Sequence, residues 1–167
     1  MRAPSDQSIK MKKNFQIKII FSIFFQFIFF SSISAQEIYI TKLNDLSFGE
    51  VFIGYSADIQ DTDMNAAKFS FFHTNKRKKN LSIRFVLPTT LDNGSSQIPI
   101  TFDKSQASWS SNDQQSGRKN FDPHGKLKIR RVKKNETHFI WLGGSITTTT
   151  DLPYGVYTGT IILTVLY

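Results

Sequence analysis

Apolar side chains fall at every second position in run after run of this chain, the period of strands with one buried face. Ala67, Phe69 and Phe71 alternate with Lys68 and Ser70, and Leu81, Ile83, Phe85 and Leu87 alternate with Ser82 and Arg84. Ile98, Ile100 and Phe102 repeat the pattern, as do Leu127 and Ile129 between Lys126, Lys128 and Arg130. The last run sets Tyr157, Gly159, Ile161, Leu163, Val165 and Tyr167 on one face. Ile162 and Leu166 on its other face predict cover on both sides near the end. Turn residues separate the runs: Thr74-Asn75, Asp92-Asn93-Gly94, Asp122-Pro123-His124-Gly125, Gly143-Gly144 and Pro153-Tyr154-Gly155. No window of a dozen residues beyond position 35 keeps a 3.6-residue apolar period. The expected fold is all-β, an immunoglobulin-like antiparallel β-sandwich of about seven to nine strands, with a closed barrel as the alternative.

The chain has no cysteine, so packing and ladder hydrogen bonds alone must hold such a sandwich. The same absence excludes a cysteine nucleophile, a thiolate-ligated zinc site and a lipid-anchored lipoprotein. The N-terminal region differs from the rest. Met11-Lys12-Lys13 opens a basic stretch, Ile19 to Phe30 is apolar but for Ser22 and Gln26, and Ser31 to Ala35 are small apart from Ile33. This is the pattern of a secretory signal peptide over residues 1–35, with Met11 read as the true start and cleavage after Ala35. A retained anchor is the alternative, disfavoured because a span needs about 20 apolar residues.

Removing 35 of 167 residues leaves a single domain over 36–167. The leader takes with it seven of the 16 Phe and four of the eight net positive charges. The exported part then has 16 basic and 12 acidic residues, which argues against nucleic acid as a partner. It also limits membrane attachment, on this reading, to an uncleaved leader.

Residues 104–125 interrupt the alternation with a long polar stretch containing Trp109. A flexible connector is the first reading and a contact loop the second, with Trp109 in a short strand at its start.

Leu43-Asn44-Asp45-Leu46-Ser47-Phe48-Gly49-Glu50-Val51 resembles an opening L-x-F-G-x-(V/I) signature. Trp141-Leu142-Gly143-Gly144, with Gly155-Val156-Tyr157-Thr158-Gly159-Thr160 and the final Val165-Leu166-Tyr167, resembles a closing G-x-Y-x-G strand. Together these residues resemble the bacterial secreted family called domain of unknown function 4402, similar in pattern to spore-coat-protein-U-like and fimbrial subunits. The resemblance implies a fold and an exported location but no activity. On physical grounds Leu46, Phe48, Gly49, Gly143, Gly144, Gly155, Tyr157 and Gly159 read as structural. Gly49 and Gly159 suit bends or close backbone approach, and Gly155 suits a turn after Pro153. Tyr157 suits a sandwich corner, ring inward and hydroxyl bonded to backbone. Fimbrial subunits that donate a strand need an N-terminal extension. Glu37-Ile38-Tyr39-Ile40-Thr41-Lys42 is short and reads as the domain's own first strand, which leaves acceptance of a strand as the open option.

Site chemistry is sparse. Asp61-x-Asp63-x-Asn65 begins like a calcium loop, but Ala66 and Phe72 occupy its glycine and glutamate positions, so a solvated acidic turn is expected. His73, His124 and His138 have no metal-ligand spacing, and no serine lies in a Gly-x-Ser-x-Gly elbow. No catalytic residue, metal or cofactor is therefore expected. Lys76-Arg77-Lys78-Lys79 and the stretch from Lys128 to Lys134 read first as a solvated hairpin tip and a polar strand face. Their sharper reading, with Trp109, is contact with anionic polysaccharide or lipid headgroups. The expected function is a non-enzymatic, exported structural, adhesive or fimbria-like component of the bacterial envelope or surface. Its partner would be a second copy or another surface protein. The alternative is a soluble secreted module binding glycan or anionic polymer.

Overall fold

A computed structural model describes residues 38–167, which form an antiparallel β-sandwich. The leader predicted over 1–35 lies outside the described residues. Twelve strands follow in order: β1 (Ile38–Asn44), β2 (Ser56–Ile59), β3 (Ala67–His73), β4 (Lys79–Val86), β5 (Thr90–Asp92) and β6 (Gln97–Thr101). They continue with β7 (Ala107–Ser110), β8 (Lys119–Asn120), β9 (Leu127–Val132), β10 (His138–Leu142), β11 (Gly144–Thr147) and β12 (Ile162–Leu166). The count exceeds the expected seven to nine because several runs break into short pieces that belong to different sheets.

One sheet has the order β1-β3-β10-β7-β8, a second β2-β11-β6-β5 and a third β12-β4-β9. The alternation of β3 is realised: Ala67, Phe69, Phe71 and His73 are all buried. Leu81 and Ile83 of β4, Ile129 of β9 and Val165 of β12 come from the third sheet to meet them, and Phe69 lies 6.0 Å from Phe85 across the layer. Ile98, Ile100 and Ile146 of the second sheet close the same core. Burying each such side chain contributes roughly 1.5–3 kcal/mol, the stabilisation a cysteine-free sandwich relies on.

Gly143-Gly144 is not the turn its composition suggests. β10 and β11 are one extended path that leaves the first sheet at Leu142 and enters the second at Gly144. At the crossing, a Cβ on Gly143 would lie 1.8 Å from the Ile59 carbonyl oxygen, while the Gly143 N–H donates to the Gln106 carbonyl at 2.7 Å. Only glycine fits between the two backbones there. At Gly144 a Cβ would meet Leu46, Phe102 and the Thr101 carbonyl at 3.3 Å, closer than ordinary contact, so those neighbours would have to give by a few tenths of an ångström.

Residues 104–125 are not a flexible connector. Asp103 caps a 3-10 turn over Lys104–Gln106, with reciprocal bonds between Asp103 and Gln106. β7 and β8 follow. The Arg118 guanidinium lies 3.6 Å over the Trp141 ring and donates to the Asp61 carbonyl at 2.6 Å, while Lys68 pairs with Asp113 at 2.5 Å. The polar composition of this stretch reflects a loop that folds over the outer face of the first sheet.

The final run also differs from expectation. Only Ile162–Leu166 joins a ladder, paired with β4; residues 157–161 form no strand and bridge to β5 at one point, Asp92 to Thr158. Ile162 and Leu166 are exposed, so no second layer covers that face. The reason is topological: among the described residues the third sheet ends at β12.

Candidate functional site

The end of that sheet defines the site. β12 pairs with β4 on one side, and its opposite edge carries no ladder among the described residues. Such an edge presents unpaired N–H and C=O groups, a template for another strand. Across from it, β1 lines up Ile38, Ile40 and Lys42 beside His73, Phe71 and Phe69, the inward side of the first sheet. Yet Ile40 is 42% exposed.

Beyond β1 and before β12 the gap widens into a groove of about 750 Å³. One wall is the extended segment 45–53, with Leu46, Phe48 and Val51 turned toward the core; the other is 152–161, with Leu152, Tyr157 and Ile161. The floor includes Leu91, Ile98, Ile100 and Ile146. Among the described residues the backbone bonds of these walls are isolated: Ser47 N–H to the Asn65 carbonyl at 3.0 Å, Tyr55 N–H to the Phe52 carbonyl at 3.2 Å, Leu152 N–H to the Thr149 carbonyl at 3.3 Å, and the paired bonds of 2.8 and 2.9 Å between Asp92 and Thr158. Large apolar side chains stand exposed on the rim, Phe52 at 79% and Val156 at 82%.

The motif residues shape the two walls. Gly49 adopts φ +63° with open space around it, so its role is a left-handed bend in the first wall. Gly159 lets the second wall pass Leu91 and Pro88, which a Cβ would meet at 2.8 and 3.2 Å. Gly155 passes Asn93 in the same way, at 3.0 Å. Tyr157 packs against the core and its hydroxyl donates to the Pro153 carbonyl at 2.8 Å, fixing the bend that begins this wall. That geometry is the corner expected for it.

Charged groups at the groove are few: Lys42 and Asp45 pair with each other at 2.9 Å, and Glu50 lies nearby. A polar cluster lies outside the groove. The Ser145 hydroxyl and the Gln106 amide both donate to Asp58 at 2.5 Å, and Gln60 donates to its other oxygen. The Ser145 bond, then those from Gln60 and Gln106, hold the Asp58 carboxyl below its ordinary range despite some burial. With donors on every side the carboxylate is a structural tie between β2, β11 and the 3-10 turn.

The remaining predicted positions separate. Lys76, Arg77, Lys78 and Lys79 lie in the β3–β4 connection and at the start of β4, but β3 and β4 belong to different sheets, so this segment crosses between layers and is not the hairpin tip expected. Trp109 is on β7, opposite Ile140, where it packs against the core beside His138 with the Lys119 ammonium 5.7 Å from its ring. The structure therefore does not join Trp109 to the basic β3–β4 connection. The Asp61 turn is solvated over residues 62–65, as expected, but Asp61 itself is buried, 3.9 Å from Arg118, and Asp63 accepts from the Gln60 N–H at 2.7 Å. Sequence reasoning missed the rim residues Phe52 and Val156. The available signal was two bulky apolar residues flanking the glycine motifs outside any alternating run. No protein-family model and no curated protein sequence matches the chain.

Proposed function

We propose that this chain is an exported, non-enzymatic β-sandwich serving as a structural or adhesive, fimbria-like component of the bacterial envelope or surface. It works by accepting a strand from another chain. The observation that carries this reading is the unladdered edge of β12 continuing into the apolar groove between residues 45–53 and 152–161. Strand addition draws affinity from main-chain hydrogen bonds and specificity from pockets for alternate side chains, and this groove offers both. β1 is committed to its own sheet through the ladder from Ile38 to Asn44, which favours acceptance over donation. The resemblance of the wall motifs to the domain-of-unknown-function-4402 pattern agrees with an exported location. The apolar lining, with Lys42 and Asp45 neutralising each other, supports a binding role over a chemical one.

The test is cell fractionation followed by native gels of residues 36–167. The expected result is exported protein that runs as a ladder or a defined complex, reduced to monomer by Ile161→Asp in the groove wall. Cytosolic protein, or a monomer indifferent to Ile161→Asp, would overturn the reading.

A further inference from the structure

Eleven of the 16 lysines and arginines between residues 38 and 167 fall in the segments 76–84 and 126–134, which contain no acid. The rest of that region has five bases against eleven acids. The two segments are distant in sequence, but β4 and β9 pair side by side, with Ser82 opposite Lys128. Leu81, Ile83 and Ile129 point inward to the core, so the alternate positions Arg84, Lys128 and Arg130 share the outer face. None of these three has a carboxylate within ion-pair distance among the described residues. The turn at 76–79 and the Lys133-Lys134 pair extend the charge past the same end of the sheet, where Lys79 faces Val132 across the ladder.

The same face is also apolar. β12 places Ile162 opposite Val86 and Leu166 opposite Ser82, all on the outward side. Val86 is 62% exposed, Ile162 52% and Leu166 54%. A row of aliphatic side chains thus borders a row of unpaired cations on one sheet face. A soluble polyanion satisfies the cations and leaves the aliphatic row in water. An anionic lipid surface satisfies both, since headgroups attract the cations while short aliphatic side chains enter the headgroup–acyl boundary.

We infer that the outer face of the β12-β4-β9 sheet docks on an anionic lipid surface. This face is distinct from the strand-accepting edge and groove, and the inference does not depend on strand acceptance. It assigns the lipid-headgroup contact suggested by the basic stretches to one sheet face of the folded domain, separate from any attachment through the leader.

The test uses residues 36–167, the compact unit that holds the described core, sedimented with phosphatidylcholine vesicles with and without phosphatidylglycerol. Binding is expected only to the anionic vesicles and is expected to fall with added salt. Removing Arg84 and Lys128 together, as the Ala variants, weakens it by roughly 25-fold, about fivefold for each charge. Val86→Ser with Ile162→Ser also weakens it, and Leu166→Ser provides a second variant should that pair perturb the fold. Lys104→Ala in the 3-10 turn with Lys119→Ala on β8 of the first sheet leaves it unchanged. Equal loss in the Lys104/Lys119 variant would overturn the assignment of the face. Undiminished vesicle binding by all the aliphatic variants would overturn the lipid assignment, as would retention on dextran sulfate without any vesicle binding, which would mark a polymer-binding face instead.

Discussion

Gly143→Ala is the substitution whose effect the structure specifies most fully. The added methyl would lie 1.8 Å from the Ile59 carbonyl oxygen and 2.8 Å from the Ile59 carbonyl carbon. A comfortable carbon–oxygen approach is about 3.3 Å, so one backbone must move by about 1.5 Å. Neither side yields without loss. Ile59 is laddered to Gly144, and the Gly143 N–H holds the Gln106 carbonyl at 2.7 Å. Overpacking of this kind costs about 1–3 kcal/mol and a lost buried hydrogen bond about 1, giving about 3 kcal/mol together. For a domain of this size that lowers Tm by about 12 °C. Urea and thermal unfolding of residues 36–167 measure it, with two comparators. Gly49→Ala faces open space at φ +63° and should cost about 1 kcal/mol, while Gly125→Ala, whose nearest contacts are at 3.4 Å, should stay within about 0.5 kcal/mol of the parent. Should Gly143→Ala prove no more damaging than Gly49→Ala, the close crossing of β10 into β11 past Ile59 is not what demands glycine there.

Other outcomes follow from side chains that hold the layers together. Arg118→Ala removes the stack on Trp141 and the bond to the Asp61 carbonyl, so it should cost about 2 kcal/mol and speed tryptic cleavage after Lys119. Burial pushes the His138 imidazole below its ordinary range, with nearby His73 adding to the shift and Glu136 at 3.9 Å opposing it. In the unfolded chain the same ring titrates near pH 6.5, so the unfolded state binds the proton first as pH falls. The stability from neutral His138 is therefore complete above about pH 6.5 and declines below it, by at most about 1.4 kcal/mol per pH unit. Urea midpoints between pH 7.5 and 5 should show that slope, and His138→Leu should reduce it; an unchanged slope in the variant refutes the assignment. Tyr157→Phe, which loses the bond to the Pro153 carbonyl, should cost about 1 kcal/mol and loosen residues 152–161, read as faster amide exchange there.

The strand faces were legible because burial in this fold follows the pleat. Phe69, Phe71, Leu81, Ile83, Ile98 and Ile100 sit in the core as their alternation implies. The Tyr157 corner and the Gly49 bend were legible because each needs a particular residue at a particular bend. Where the chain changes sheet, local pattern misleads. Gly143-Gly144 has turn composition, yet its glycines serve a crossing set by Ile59, 84 positions earlier. Tyr157 to Tyr167 keeps one alternating period across a groove wall and a true strand, so the sequence shows no sign of where the ladder to β4 begins. The exposure of Ile162 and Leu166 depends on which strand ends the third sheet, a fact of topology. The cationic face was divided into two unrelated stretches for the same reason, because only the pairing of β4 with β9 brings them together. Trp109, read as lying in a short strand, is on β7; its inward direction was hidden by its polar neighbours and follows from its partner across the ladder, Ile140.

Amide hydrogen exchange along residues 157–166 of the isolated 36–167 unit tests the open edge most directly. In an edge strand, alternate N–H groups point away from the sheet. The β12 amides bonded to β4 should exchange slowly and those between them fast, with the fast set becoming protected when the protein is in its assembled form. Uniform protection of β12 in the isolated unit, equal to that of β10 in the middle of its sheet, would contradict it.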